Sequence, residues 1–154
     1  MERTLVILKP NAVQRGLVGE VIARFEKRGL KLVALKMAQL NLDVLKEHYS
    51  HLVEKPFFPE LAASMMVAPV VLCCWEGVEA VSVVREMTGA TNGRKAAPGT
   101  VRGDYCMSGQ LNIIHTSDSP ENAVIELNRF FSSEDYFEYK SPLQEVIYAD
   151  YELK

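Results

Sequence analysis

With 154 residues, the chain is long enough for one domain that buries a substantial core without disulfide or metal staples. Its composition, 48% hydrophobic and 24% charged, is that of an ordinary globular fold, and a formal net charge of −3 excludes a global attraction for nucleic acid or an anionic membrane. Any anionic ligand must therefore be held by local cations.

The start, Met1-Glu2-Arg3-Thr4, enters an apolar segment without the basic and long apolar regions of a signal peptide or an Arg/Ser-rich transit sequence, so a cytoplasmic location is expected. Residues 4–8 predict a short buried strand, ended by Lys9-Pro10-Asn11, where Pro10 holds Lys9 extended and leaves it projecting from the strand end. After Gly16 and Gly19, the spacing of Val21, Ile22 and Phe25 predicts an amphipathic helix closed by Gly29, and residues 31–40 alternate well enough for a strand. Asn41 or Asp43 then caps a helix running through Leu45, Tyr49 and Leu52. The segment Lys55-Pro56-Phe57-Phe58-Pro59 breaks it and starts a second helix near Leu61.

Residues 69–75 predict a third strand; with Pro69 inside the longest apolar run, that run falls well short of the roughly 20 residues that span a bilayer. Cys73 and Cys74 are adjacent there and point to opposite faces, Cys106 lies elsewhere, and no C-x-x-C spacing occurs, so three reduced thiols and no protein-held metal are expected. Glu76-Gly77 turns the chain into a helix over 78–87. Residues 89–109 carry only loop signals, a length that compact domains reserve for function. A final strand over 111–115 leads to a helix with Ser119 as N-cap and Pro120 at its first position. This order predicts an α+β, ferredoxin-like split βαβ fold: a four-stranded antiparallel sheet with helices packed on one face, and residues 132–154 as a C-terminal extension along the surface of a single domain.

Lys9, Tyr49, Phe57, Arg85, Thr91, Arg102, Asn112 and His115 are left at strand ends and in the long loop. Taken singly, each has a plain structural role. Together they have a chemical meaning, because phosphoryl transfer needs fixed cations around the equatorial oxygens while a nucleophile approaches in line. Arginine binds phosphate through its planar fork, Thr91 offers a hydroxyl, and an imidazole with an ordinary pKa of about 6.5 is a competent nucleophile at neutral pH. Glu126, at the margin of the last helix's apolar stripe, can orient a ring nitrogen or Ser117. Neither G-x-x-x-x-G-K-[ST] nor G-x-G-x-x-G is present, and His48 and His51, three apart on a helix without a third ligand, read as surface residues.

The motifs Leu8-Lys9-Pro10, Gln14-Arg15-Gly16-Leu17, His48-Tyr49, Lys55-Pro56-Phe57-Phe58 and Gly89-Ala90-Thr91-Asn92 resemble those of the nucleoside diphosphate kinases. So, with greater specificity, do Pro98-Gly99-Thr100-Val101-Arg102-Gly103-Asp104 and Asn112-Ile113-Ile114-His115 followed by Ser117-Asp118-Ser119. The resemblance implies ping-pong transfer of a γ-phosphate from a nucleoside triphosphate to His115 and on to a nucleoside diphosphate. It implies that Phe57 stacks on the base, that Lys9 and Asn112 reach ribose and phosphates, that Arg85, Thr91 and Arg102 hold phosphates, and that Tyr49, Ser117 and Glu126 support the site. Mg²⁺ would arrive with the nucleotide, with Asp118 touching it through water, and the chain would assemble as a hexamer or tetramer of identical copies. Two positions depart from the family pattern: Thr116 where a small residue follows the histidine, and Gly93 where proline follows Thr-Asn, which predicts a more permissive loop. The competing reading is a non-catalytic interaction or regulatory protein on the same fold, binding nucleic acid through Lys27, Arg28, Lys31 and Lys36.

Overall fold

The computed structural model describes residues 1–153. Strands β1 (Glu2–Leu8), β2 (Lys31–Ala38), β3 (Val70–Gly77) and β4 (Ile114–Thr116) form one antiparallel sheet in the order β2-β3-β1-β4. This is the expected split βαβ sheet. The helices, however, cover both faces rather than one. On one side Leu5, Ile7, Leu72 and Cys74 pack with Leu45, Leu61, Met65, Leu127 and Phe130. These come from α3 (Leu42–His48), α4 (Phe58–Met66) and α7 (Pro120–Phe130). On the other side Val6, Leu8, Cys73 and Trp75 pack with Val21, Phe25 and Val84, from α2 (Val18–Arg28) and α5 (Ala80–Thr88). The reason is visible in the two central strands, which carry continuous apolar runs instead of alternation and so need cover on both sides. Cys73 and Cys74 fall in opposite cores as expected, and all three cysteines are free and buried.

Several predicted ends match their local chemistry. Gly29 closes α2 at φ 101°, and Leu30 N–H bonds back to Phe25 C=O at 3.2 Å, a termination that a left-handed glycine permits. Asn41 Oδ1 accepts Val44 N–H at 2.9 Å and Ser119 Oγ accepts Asn122 N–H at 3.1 Å, satisfying donors in the first turns of α3 and α7. Other boundaries moved. The helix expected to run through Leu52 stops at His48 and continues as a 3₁₀ turn at Ser50–Leu52, and Pro10–Gln14 forms an unanticipated short helix, α1. The 89–109 segment holds a 3₁₀ turn (Gly93–Lys95) and a five-residue helix, α6 (Val101–Tyr105), whose Thr100 Oγ1 accepts Gly103 N–H at 3.0 Å. Helices this short leave no hydrophobic periodicity to read.

The C-terminal segment runs over the surface, with Phe137 N–H on Val33 C=O at 2.9 Å and Tyr139 O–H on Leu32 C=O at 2.7 Å. Among the described residues no helix is long and apolar enough to cross a membrane. Gly93 corrects the expectation of a permissive loop. It is buried, its N–H donates to Ser108 C=O at 3.1 Å, and a Cβ there would overlap the carbonyl oxygen and Cβ of Cys106. Close backbone approach, not freedom of φ, is what this glycine supplies. Gly93→Ala is therefore expected to lower unfolding stability by about 2 kcal/mol through forced displacement of the Cys106 backbone, read from the midpoint of urea denaturation.

Candidate active site

The site grows from the junction of β1 and β4. Ile7 pairs with His115, and where β1 ends, Lys9 N–H donates to Ile113 C=O at 2.9 Å. The Lys9 ammonium donates to Asn112 Oδ1 at 2.6 Å, while the Asn112 amide donates to Thr91 C=O and Gly109 C=O, each at 2.9 Å. One buried asparagine thus pins the long loop to the strand end. Between Asn112 and Ile114 the chain makes a three-residue turn, closed by Ile114 N–H on Asn112 C=O at 2.8 Å, with Ile113 at φ 57°. A β-branched residue in the left-handed region costs about 1–3 kcal/mol, and complete burial of its side chain with the Lys9 bond to its carbonyl holds it there. This turn delays β4, which begins at Ile114 instead of 111.

Arg102, on α6, is buried, and its guanidinium donates to Ile114 C=O at 2.7 Å and Gly89 C=O at 3.1 Å. It braces the loop as well as lining the cavity. Burial and the neighbouring Arg85 hold its pKa below the ordinary arginine value. Burial, then Arg102, brings the Lys9 ammonium down to about 8, so its charge is poorly compensated by the chain itself.

His115 Nε2 lies 3.0 Å from Glu126 Oε1, the other carboxylate oxygen accepts Ser117 O–H at 2.6 Å, and Ser117 Oγ accepts Leu5 N–H at 3.2 Å. Burial raises the Glu126 pKa, but the bonds from His115 and Ser117 outweigh it and hold the group below the usual glutamate value. An ionised carboxylate only accepts, so Nε2 carries the proton and Nδ1 is left with the lone pair. Tyr49 is buried edge-on to His115, ring centroids 6.4 Å apart, and burial followed by the Glu126 charge pushes its hydroxyl up to about 12, keeping it a donor.

These groups open on one cavity of about 750 Å³. Lys9, Tyr49, Phe57, Arg85, Thr91, Arg102, Asn112, His115 and Glu126 all line it, and Ser117 is buried behind Glu126. Phe57 is 47% exposed, a ring with a free face. Thr116, buried in β4 opposite Val6, also reaches the wall, so its β-branched side chain stands beside the histidine.

Two members were not anticipated. His48, expected at the surface, is 7% exposed and packs edge-on to His115 with centroids 4.5 Å apart, whereas His51 is exposed as expected. Its Nδ1 accepts a bond from Arg129 Nη1 at 2.9 Å, and burial, then His115, lowers its pKa to about 3. The signal was its place three residues after Leu45 on the buried stripe of α3. Likewise Arg129 follows Glu126 by three on α7 and shares its face. His48, His115 and Glu126 each offer a ligand atom within 4.8 Å of the others, the one such grouping among the described residues. Within the grouping His115 and Glu126 bond to each other, Glu126 also accepts Ser117 O–H, and His48 bonds outside it to Arg129.

A family model described as nucleoside diphosphate kinase matches residues 2–136. Among similar proteins, a nucleoside diphosphate kinase of Parabacteroides distasonis is 58% identical over 153 residues, covering 99% of this chain and all of the relative, and nucleoside diphosphate kinase A of Mus musculus is 49% identical over 147 residues, covering 96% and 97%. A solved structure of the Halobacterium salinarum nucleoside diphosphate kinase in complex with CDP superposes with a TM-score of 0.93 at 37% identity, covering 96% of this chain and 99% of the other. With its sheet order, its cavity and these matches along nearly its whole length, the chain belongs to the nucleoside diphosphate kinase family.

Proposed function

We propose that this chain is a nucleoside diphosphate kinase that works by ping-pong phosphoryl transfer through His115. One observation carries the reading: His115 Nε2 is tied to an ionised Glu126, which leaves Nδ1 with a lone pair in a cavity walled by Lys9, Arg85 and Arg102. In the first half-reaction the Nδ1 lone pair forms an N–P bond to the γ-phosphorus of a nucleoside triphosphate as the bond to the β,γ-bridging oxygen breaks. The bridging electron pair leaves with the diphosphate. Nε2 keeps its proton, and Glu126 stabilises the positive charge that develops on the ring. A terminal oxygen of a second nucleoside diphosphate then attacks the same phosphorus and releases the imidazole.

The guanidinium of Arg85 and the hydroxyl of Thr91, both exposed to the cavity, suit phosphate oxygens, and Lys9 and Asn112 suit the ribose and the phosphate chain. Phe57 suits base stacking, which is nearly blind to base identity because every base has a π-face. Mg²⁺ carried with the nucleotide would neutralise charge on the phosphate oxygens. Asp118 is the carboxylate that fits it, since it lines the cavity, is exposed and spends one oxygen on Asn122, which favours contact through water.

We read residues 1–154 as a single domain with 132–154 as its extension, assembled as a hexamer or tetramer. Leu35 and Met37, 50% and 61% exposed on the edge strand β2, support a neighbouring copy. A reducing, cytoplasmic setting suits three free thiols. The nucleic-acid reading loses two of its four cations, because Lys31 pairs with Glu76 at 3.2 Å and Lys36 with Asp135 at 2.7 Å.

Incubation with γ-labelled ATP and Mg²⁺ is expected to leave an acid-labile, base-stable phosphohistidine that added GDP or CDP discharges. His115→Ala abolishes the label, and an unlabelled, folded wild type overturns the reading. A second expectation follows from Lys9. Its pKa of about 8 must rise when polyphosphate binds beside it, so at pH 8.5 ADP binding takes up protons. Calorimetry in buffers of different ionisation enthalpy measures the uptake, which is expected to vanish in Lys9→Met.

A further inference from the structure

We propose that His48 is a positioning residue for His115, a neutral strut that fixes the nucleophile's ring plane and keeps the Arg129 guanidinium away from the Glu126 carboxylate. The inference rests on the phosphohistidine reading and concerns a residue that touches no substrate-binding group of that reading except the nucleophile itself.

Its basis is the packing around His48. The ring is wedged edge-on between Tyr49, His115 and Phe130, with centroids 4.7, 4.5 and 5.1 Å away. A phenylalanine satisfies such a site by packing alone. A histidine there leaves Nε2 buried without a hydrogen-bond partner, a cost that apolar packing does not explain. What the imidazole adds is Nδ1, which accepts from Arg129 Nη1 at 2.9 Å, while Arg129 Nε lies 3.2 Å from Glu47. The bond from Arg129 sets which His48 nitrogen faces α7, and the Glu47 carboxylate adds an ion-pair contact to the same guanidinium.

The alternative geometry is costly for chemistry. Arg129 and Glu126 are three apart on one face of α7, the spacing at which an arginine and a glutamate meet. Without an acceptor at His48, the Nη1 end of the guanidinium is left with Glu47, already 3.2 Å from Nε, and with Glu126 on its own helix face, and every bond it takes from Glu126 is one withdrawn from His115 Nε2. The imidazole then loses the partner that selects its tautomer, so either nitrogen is free to face the phosphorus. The charged and titratable groups around His48 are His51 on the following 3₁₀ turn, Tyr49 beside it, His115 on β4, and Glu126 and Arg129 on α7. Burial first, then His115, lowers the His48 pKa, which spares the phosphorylated ring a second positive neighbour.

The test compares His48→Phe, which keeps the packing and loses the acceptor, with His48→Asn, whose amide oxygen sits near the lost Nδ1. Wild type is expected to carry phosphate on Nδ1 alone by ³¹P NMR. His48→Phe is expected to bind ADP within twofold of wild type, to phosphorylate at least tenfold more slowly, and to yield a mixture of Nδ1 and Nε2 isomers, with His48→Asn within about threefold of wild type and unmixed. Should His48→Phe fail to fold, Arg129→Met, which removes the competing guanidinium instead, is expected to keep Nδ1 phosphorylation unmixed even when combined with His48→Asn. Wild-type speed and a single isomer in His48→Phe, a loss of rate matched by loss of ADP affinity, an asparagine no better than phenylalanine, or mixed isomers in the Arg129→Met chains would overturn the inference. A wild type that takes no label at all removes the kinase reading, and this inference with it.

Discussion

Everything at this site depends on one half-buried carboxylate. Glu126 holds His115 through one oxygen and Ser117 through the other, and Ser117 accepts the backbone N–H of Leu5 in the central strand. The imidazole is thereby referenced to the most deeply buried part of the fold instead of to a loop. A carboxylate with both oxygens engaged has little freedom to move, and its charge selects the tautomer that leaves Nδ1 basic. Preorganisation of this kind is what a nucleophile needs when its substrate brings several negative charges and no energy is to be spent on reorienting the protein.

The second constraint is the anchoring of the 89–109 loop. Asn112 bonds to Thr91 and Gly109, Arg102 bonds to Gly89 and Ile114, and Gly93 lets the chain pass against Cys106. The same residues therefore build the cavity wall and face into it. Arg102 illustrates the compromise, since a guanidinium committed to carbonyls is rigid and already partly desolvated. Lys9 stands in a similar position, its ammonium held by a single asparagine oxygen and lowered by burial. The site is poised toward an anion because its buried cations face no carboxylate among the described residues.

Much of this was legible in the chain. The helix caps at Asn41 and Ser119, the Gly29 terminator and the strand runs carry local signals, and each lies where its chemistry demands. The order of elements implied the sheet, and the motifs held most of the predicted wall residues, Arg85 and Glu126 lying outside them. What escaped were features without local signature: five-residue helices, the strained turn at Ile113, and His48, whose burial depends on α3 meeting β4 and α7 across the core. Gly93 was misread for a related reason. Its need is for proximity to Cys106, thirteen residues away, and proximity is invisible in a linear chain.

By itself, the sequence determined the longer elements, their caps and the inventory of cations and polar side chains that line the cavity, because each depends on neighbours within a few residues or on composition. Tertiary structure alone decided that helices cover both faces of the sheet, that Glu126 takes His115 at Nε2, and that Lys9 lies close enough to Arg102 to lose proton affinity. These are consequences of long-range packing, where the energy of a group is set by what surrounds it in space and by how much water is excluded, not by its neighbours along the chain.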